Sequence, residues 1–226
     1  MMNEPLSFAL GLGFVLGLKH ATEADHLVAV STIVSEQRSL WRAGIVGALW
    51  GVGHTVMLLL VGLVVILLGV AIPERVAAFL ELGVAIMITY LGARILYRLA
   101  RERDSASLHT HPHNSIVARS AITSLRPIII GMVHGLAGSA ALTLLVLTEV
   151  VRGGSPSLGL AYLLIFGVGS IGGMLLMSTL IGLPFALTAM RFEKFNKPVR
   201  LIAGISSVLF GLYYAWQIIG EMRLES

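Results

Sequence analysis

Ionisable side chains are concentrated in one short stretch of an otherwise apolar segment near the amino terminus. His20, Glu23, Asp25 and His26 fall within seven residues, and Lys19 directly precedes them. A charged side chain at the centre of a bilayer costs about 2.5–3.5 kcal/mol. Lys19, Glu23 and Asp25 together would therefore cost on the order of 8–10 kcal/mol if they faced lipid. In a membrane these groups must therefore line a cavity, pair with one another or hold an ion.

Two imidazoles and two carboxylates form a nitrogen and oxygen ligand set. Such a set suits borderline divalent ions such as nickel, cobalt, zinc or ferrous iron. On an ideal helix His20, Glu23 and His26 share one face of about 120°, whereas Asp25 lies about 100° beyond His26. We predict a metal site that uses these residues, with the helix broken near residues 17–20. A polar cluster that only holds helices together is the alternative.

Two more histidines, His54 and His134, lie beside glycines in other apolar segments. We predict that both contribute to the metal site, although an interhelical hydrogen bond is the common role of a single histidine inside a membrane. His109, His111 and His113 lie in a polar stretch, where they either bind metal weakly or are simply solvated.

The composition indicates the elements that must position these residues. Of the 226 residues, 56% are hydrophobic and only 12% are charged, against about 45–50% and about 25% in soluble domains. A soluble enzyme of ordinary composition is thereby excluded, and the absence of cysteine excludes disulfides and thiolate ligands. We predict an all-α integral membrane protein with about six transmembrane helices. The apolar segments cover 5–34, 41–71, 76–99, 125–150, 157–189 and 199–219.

Basic residues are distributed unevenly between the loops. The first, third and fifth loops carry twelve of the sixteen, namely Arg38, Arg42, Arg94, Arg98, Arg101, Arg103, Arg119, Arg126, Arg191, Lys194, Lys197 and Arg200. The opposite side has only Arg75, Arg152 and Arg223. By the positive-inside rule these three loops face the cytoplasm. We therefore predict a multi-pass protein of the cytoplasmic (inner) membrane with both termini outside.

The two halves of the chain resemble each other. Residues 13–18 align with 131–136, and residues 51–54 align with 167–170. Each half contains three predicted spans, an odd number, so the second half must run opposite to the first. We predict one transmembrane domain over 1–226 built from two inverted three-helix repeats, about 5–100 and about 120–220, joined by a cytoplasmic loop at about 100–124. Transporters of this architecture bind substrate near the midplane.

Residues 13–26 resemble the signature of the nickel/cobalt transporters and their wider relatives, which include nickel-transporter-like and urease-accessory-like proteins. The signature is a histidine, four residues and then Asp-His, after a helix rich in leucine and glycine. Residues 53–55 resemble a second motif of that family. The resemblance implies roles in metal transport for His20, Asp25 and His26, and for His54 through the second motif.

We therefore expect a secondary transporter of divalent transition-metal ions, with nickel or cobalt foremost. The chain has no nucleotide-binding loop of the form GxxxxGK[ST], so the driving force must come from gradients or a partner. We expect the metal as substrate and the bilayer as surroundings, with no nucleic-acid partner, no resident cofactor and no enzymatic activity. An intramembrane metalloenzyme and a proton-coupled transporter of a small anion are the alternatives. The anion alternative predicts basic residues at midplane, where only Lys19 fits.

Overall fold

Every element in the described part of the chain is an α-helix. The computed structural model describes residues 4–68, 72–105, 125–137 and 156–224. The helices are α1 (Glu4–His20), α2 (Ala24–Val34), α3 (Leu40–Leu68), α4 (Glu74–Ser105), α5 (Arg126–Gly135), α6 (Pro156–Met190) and α7 (Glu193–Leu224). Four of them, α3, α4, α6 and α7, are long and apolar enough to cross a membrane. The predicted class, an all-α membrane protein, is confirmed.

The first apolar segment is divided into two helices, as predicted. The break falls at residues 21–23, slightly later than expected. The backbone N–H of Thr22 donates to the carbonyl of Lys19 over 2.8 Å, and that of Glu23 to the carbonyl of His20 over 3.1 Å. Glu23 has extended backbone angles, φ −65° and ψ 149°, so the helical hydrogen-bond series stops there. The consequence is that the polar residues lie at the ends of two short helices.

The fourth predicted span, 125–150, is described only at its beginning. Helix α5 ends at Gly135, and its last carbonyls are used in a turn that reaches Ala137. The remainder of that span, and most of the polar loop predicted at about 100–124, lie outside the described residues. The histidines at 109, 111 and 113 lie there too.

Helices α3 and α6 cross in antiparallel fashion at the centre of the molecule. Gly44 lies against Thr179 and Gly51 against Ile171, both at 2.8–2.9 Å from an ideal Cβ. Small residues let two helix backbones approach this closely in a membrane. The hydroxyl of Thr55 also donates to the carbonyl of Gly167 over 3.2 Å. Residue numbers rise along α3 as they fall along α6, which shows that the two helices run in opposite directions.

Helices α4 and α7 form a second antiparallel pair beside the first. The backbone of Gly92 lies close to Gly204, while Gly211, further along α7, meets Thr89 and Ala85, which come earlier in α4. At one end of this pair the guanidinium of Arg200 lies 3.3 Å from the Glu102 carboxylate. Helix α2 packs against α4, α6 and α7, which holds the start of α2 inside the bundle.

The two short helices α1 and α5 each pack on one of the central helices. Any side chain at Gly17 of α1 would collide with the carbonyl oxygen of Phe166 in α6. In the same way, a side chain at Gly131 of α5 would collide with the carbonyl oxygen of Trp50 in α3. Glycine is required at these two positions because the helix backbones are in direct contact. The carboxyl ends of α1 and α5 are thereby held close to the central helices.

Candidate metal centre

Five of the six predicted ligands meet at one buried place. His20 ends α1, Asp25 and His26 begin α2, His54 lies in the middle of α3, and His134 lies near the end of α5. The side chains of His26, His54 and His134 are 0% exposed, and His20 is 4% exposed. Four helices, of which only α1 and α2 are neighbours in sequence, therefore place four imidazoles and a carboxylate together.

Asp25 connects two of the imidazoles. Its Oδ1 lies 3.1 Å from Nδ1 of His26, and its Oδ2 lies 2.9 Å from Nε2 of His134. Both carboxylate oxygens are thus in contact with ring nitrogens from different helices. Within the described residues, the basic groups in contact with the Asp25 carboxylate are these two imidazoles.

His20 connects α1 with α3. Its Nε2 lies 3.0 Å from Nε2 of His54, while its Nδ1 lies 3.1 Å from Oε2 of Glu23. Glu23 is 41% exposed, so its carboxylate lies at the rim. A carboxylate on the second nitrogen of a ligating histidine orients the ring and raises its basicity. The structure therefore places Glu23 where it can orient His20.

The imidazole of His26 is central to the cluster. Its ring centroid lies 4.4 Å from that of His20, 5.3 Å from that of His54 and 4.2 Å from that of His134. The rings of His54 and His134 are further apart, at 6.1 Å. His26 is therefore the one histidine of the cluster within about 5 Å of each of the other three.

Several ring nitrogens of the cluster lack a hydrogen-bond partner in the described part of the chain. They are Nε2 of His26, Nδ1 of His54 and Nδ1 of His134. Buried polar atoms in proteins almost always have a partner, so each exception requires an explanation. The described residues leave these three nitrogens unsatisfied, in a cluster whose other ring nitrogens contact one another or a carboxylate.

Two aromatic side chains close the sides of the cluster. The Trp50 ring lies 5.4 Å from the rings of both His26 and His134, and the Phe166 ring lies 5.5 Å from that of His20. Trp50 is 1% exposed. Sequence reasoning missed it, although its position one helical turn before His54 was a usable signal.

Lys19 does not belong to the cluster. Its side chain is exposed, and in the described residues the carboxylates of Glu23 and Asp25 contact imidazoles. Among the described residues, the site thus combines one carboxylate and four imidazoles with no ammonium or guanidinium group against them. Nitrogen and oxygen donors of this kind suit borderline divalent transition metals.

The ligand atoms fall into two sets of three. One set is His20, His26 and His54, and the other is Asp25, His26 and His134. In each set the candidate ligand atoms all lie within 4.8 Å of one another. His26 belongs to both sets.

These features define a multi-pass helical membrane protein with a buried cluster of imidazoles and one carboxylate. Comparison with known proteins agrees with the membrane class. Residues 27–213 match the family described as cytochrome c biogenesis protein transmembrane region. The chain is 40% identical to the urease accessory protein UreH of Bacillus sp. (strain TB-90), over 92% of this chain and 91% of that protein. It is 27% identical to the high-affinity nickel transport protein of Cupriavidus necator, over 54% of this chain and 32% of that protein. No solved structure matches.

The chain therefore belongs to the nickel/cobalt transporter-like family of membrane proteins, together with the urease accessory protein that it matches over most of its length. The family that residues 13–26 and 53–55 indicated is confirmed.

Proposed function

We propose that the protein carries a divalent transition-metal ion, nickel or cobalt foremost, across the cytoplasmic membrane. The observation that carries this proposal is the meeting of His20, Asp25, His26, His54 and His134 at one buried place. Glu23 supports His20 from the rim. The ion is the substrate, and no resident cofactor is part of the proposal.

The electrostatics of the cluster favour a cation. Asp25 provides a negative charge, and imidazoles bind metal in their neutral form. With Lys19 exposed, the cluster contains no fixed positive charge that would repel a divalent ion or attract an anion. This argues against the small-anion alternative.

The relatives support nickel as the first ion to test. One relative is named for high-affinity nickel transport, and the other is named as an accessory protein of urease. Both names describe transport or accessory roles, and we propose no catalytic role for the cluster.

We further propose the inverted repeat that the sequence predicts, with a corrected register. The antiparallel crossings of α3 with α6 and of α4 with α7 support opposite orientations of the two halves. The contact of Gly17 with Phe166 corresponds to that of Gly131 with Trp50. This correspondence pairs Gly17 with Gly131, four residues away from the sequence alignment, which pairs Gly17 with Gly135. The alignment was misled because glycine recurs every four residues in both helices.

Rocking of the two halves about the cluster would expose the ion to each side in turn. We propose that loops one, three and five face the cytoplasm, as the basic residues predict. A divalent ion that enters a cell at about −100 mV gains roughly 4.6 kcal/mol, which is enough for about three decades of accumulation without ATP. Because histidine and carboxylate ligands bind metal when deprotonated, proton exchange at His20, Asp25 and His26 would assist release.

The test is nickel uptake by the purified protein in sealed liposomes with an imposed inside-negative potential. We expect potential-dependent uptake by the wild type and its loss in the His20→Ala, Asp25→Ala and His26→Ala variants. A Glu102→Gln variant, which alters a carboxylate outside the cluster, is the matched control and should transport normally. Uptake at the wild-type rate in all three alanine variants would end the proposal.

A further inference from the structure

The two sets of ligand atoms are too widely spread to serve a single ion together. Nitrogen and oxygen ligands lie about 2.0–2.2 Å from such an ion, so two ligands of one ion are at most about 4.4 Å apart. Each set of three, with atoms within 4.8 Å of one another, needs only a small contraction to meet this limit. The structure joins the atoms into two sets of three that share His26, and not into one set of five.

The helix packing is an independent observation, and it makes one histidine of each set equivalent to one of the other. Gly17 and Gly131 make corresponding contacts with Phe166 and Trp50. His20 lies three residues after Gly17, and His134 lies three residues after Gly131. His20 and His134 are therefore equivalent residues at the carboxyl ends of α1 and α5.

Each of these helix ends adds its own attraction for a cation. The aligned peptide dipoles of a helix amount to about half a negative charge at its carboxyl end. Helix α1 ends at His20, and α5 ends at Gly135, directly after His134. Each set thus contains one histidine from the carboxyl end of α1 or α5, completed by His26 and a third ligand.

We propose that the centre has two neighbouring positions for one divalent ion, and that the ion passes between them while it stays bound to His26. At the first position the ligands are His20, His26 and His54. At the second they are Asp25, His26 and His134. This inference rests on the proposed transport function and describes how the ion crosses the middle of the protein.

The two positions differ in charge. The first offers three neutral imidazoles, whereas the second includes the Asp25 carboxylate, whose attraction for a divalent ion is strong in a buried site. The second position therefore holds the ion more tightly at rest. Transfer exchanges two ligands for two others, so the ion is never stripped of all its protein ligands.

The experiment compares His54→Gln, which removes a ligand of the first position only, with His134→Gln, which removes a ligand of the second only. His26→Gln removes a ligand of both. Nickel binding to purified protein in detergent is measured by titration calorimetry, and nickel uptake is measured in liposomes. We expect His54→Gln and His134→Gln each to retain saturable binding of one ion while uptake falls at least tenfold. His26→Gln should lose both binding and uptake.

Cobalt absorption spectra provide a second measurement that does not depend on transport. The His54→Gln protein should give the spectrum of a site with a carboxylate ligand, and the His134→Gln protein that of an imidazole site. Identical spectra in the two variants would overturn the inference. So would loss of binding in both, to the extent seen in His26→Gln, or wild-type uptake in either.

Failure of this inference is distinguishable from failure of the proposed function. If the wild type transports nickel but His54→Gln and His134→Gln give the same binding and the same spectra, the centre has one ion position and not two. If the wild-type protein neither binds nor transports nickel or cobalt, the transport function itself is wrong. Size-exclusion profiles and thermal unfolding of each variant establish that it is folded before either conclusion is drawn.

Discussion

Two groups of ionisable side chains in the described part of the bundle have opposite surroundings. In the cluster, the Asp25 carboxylate contacts the imidazoles of His26 and His134. At the ends of α2, α4 and α7, Glu36 pairs with Arg98, and Glu102 pairs with Arg200. The carboxylates of the second group are thus neutralised by permanent cations of the protein.

The difference shows why only one of the two parts is suited to hold an ion. A guanidinium is charged at all relevant pH values and occupies the place that a metal ion would take. An imidazole can be neutral, and it then offers a lone pair to the ion. The ion pairs are also partly exposed, with Glu36 and Arg98 at 30% and 33%, whereas three of the cluster histidines are 0% exposed. Among the described residues, the Asp25 carboxylate therefore has no permanent cation beside it, whereas the carboxylates of Glu36 and Glu102 each have one.

The largest expected effect comes from Asp25→Asn, which retains the shape of the side chain and removes its charge. We expect nickel affinity to fall at least about 100-fold, because even the outer partners of metal ligands contribute 10–100-fold. Titration calorimetry measures the loss. Glu102→Gln, which neutralises an ion-paired carboxylate, should leave the affinity unchanged. An equal loss of nickel affinity in Asp25→Asn and Glu102→Gln would contradict the difference between the cluster and the ion pairs.

The next effect concerns the helix that carries His134. Gly131→Val introduces a side chain against the carbonyl oxygen of Trp50, and overpacking of this kind costs about 1–3 kcal/mol. We expect a lower thermal unfolding temperature together with weaker nickel binding, since α5 must move away from α3. Gly83→Ala in α4 is the matched control, because nothing lies within 4 Å of that position. A Gly131→Val protein as stable as the wild type would contradict the close packing.

A smaller effect should be visible in tryptophan fluorescence. Trp50 packs against two cluster histidines, whereas Trp41 and Trp216 are 77% and 73% exposed. We expect nickel to quench the emission of Trp50, and the Trp50→Phe variant to lose most of the nickel-dependent change. The Trp41→Phe and Trp216→Phe variants should retain it. If Trp50→Phe were quenched like the wild type, nickel would bind elsewhere.

The smallest effect is expected at the Glu36–Arg98 pair. Partly exposed ion pairs contribute about 0–1 kcal/mol, so Arg98→Gln should lower stability by no more than that and change nickel uptake less than about twofold. A double-mutant cycle with Glu36→Gln isolates the pair. A loss of uptake above tenfold would instead make this pair part of the transport pathway.

Local features of the chain were sufficient for much of the prediction. The membrane class followed from the length and density of apolar segments, and four long apolar helices confirm it. The break before α2 was predicted because Asp25, on a continuous helix, would miss the face shared by His20 and His26. His20, Asp25 and His26 were identifiable because they are close in sequence.

The register of the repeat was not accessible in the same way. Glycines in α1 and α5 recur at the spacing of one helical turn, so a shift of four residues preserves the pattern. The register that we propose rests on the contacts of Gly17 and Gly131 with the backbones of other helices. The role of Glu23 at the rim, in place of a direct ligand, likewise depends on where its carboxylate lies.

Sequence alone was therefore enough for the kind of protein, the donor chemistry and the broken first helix, because hydropathy and ligand type are properties of single residues and short segments. Tertiary structure decided that His54 and His134 lie beside the end of α1 and the start of α2, and that Trp50 packs against the cluster. It also decided that His26 belongs to two sets of candidate ligand atoms. These facts depend on how separate helices approach one another, over 34 residues of chain for His20 and His54 and 109 for Asp25 and His134. Backbone contact at a few glycines determines that approach.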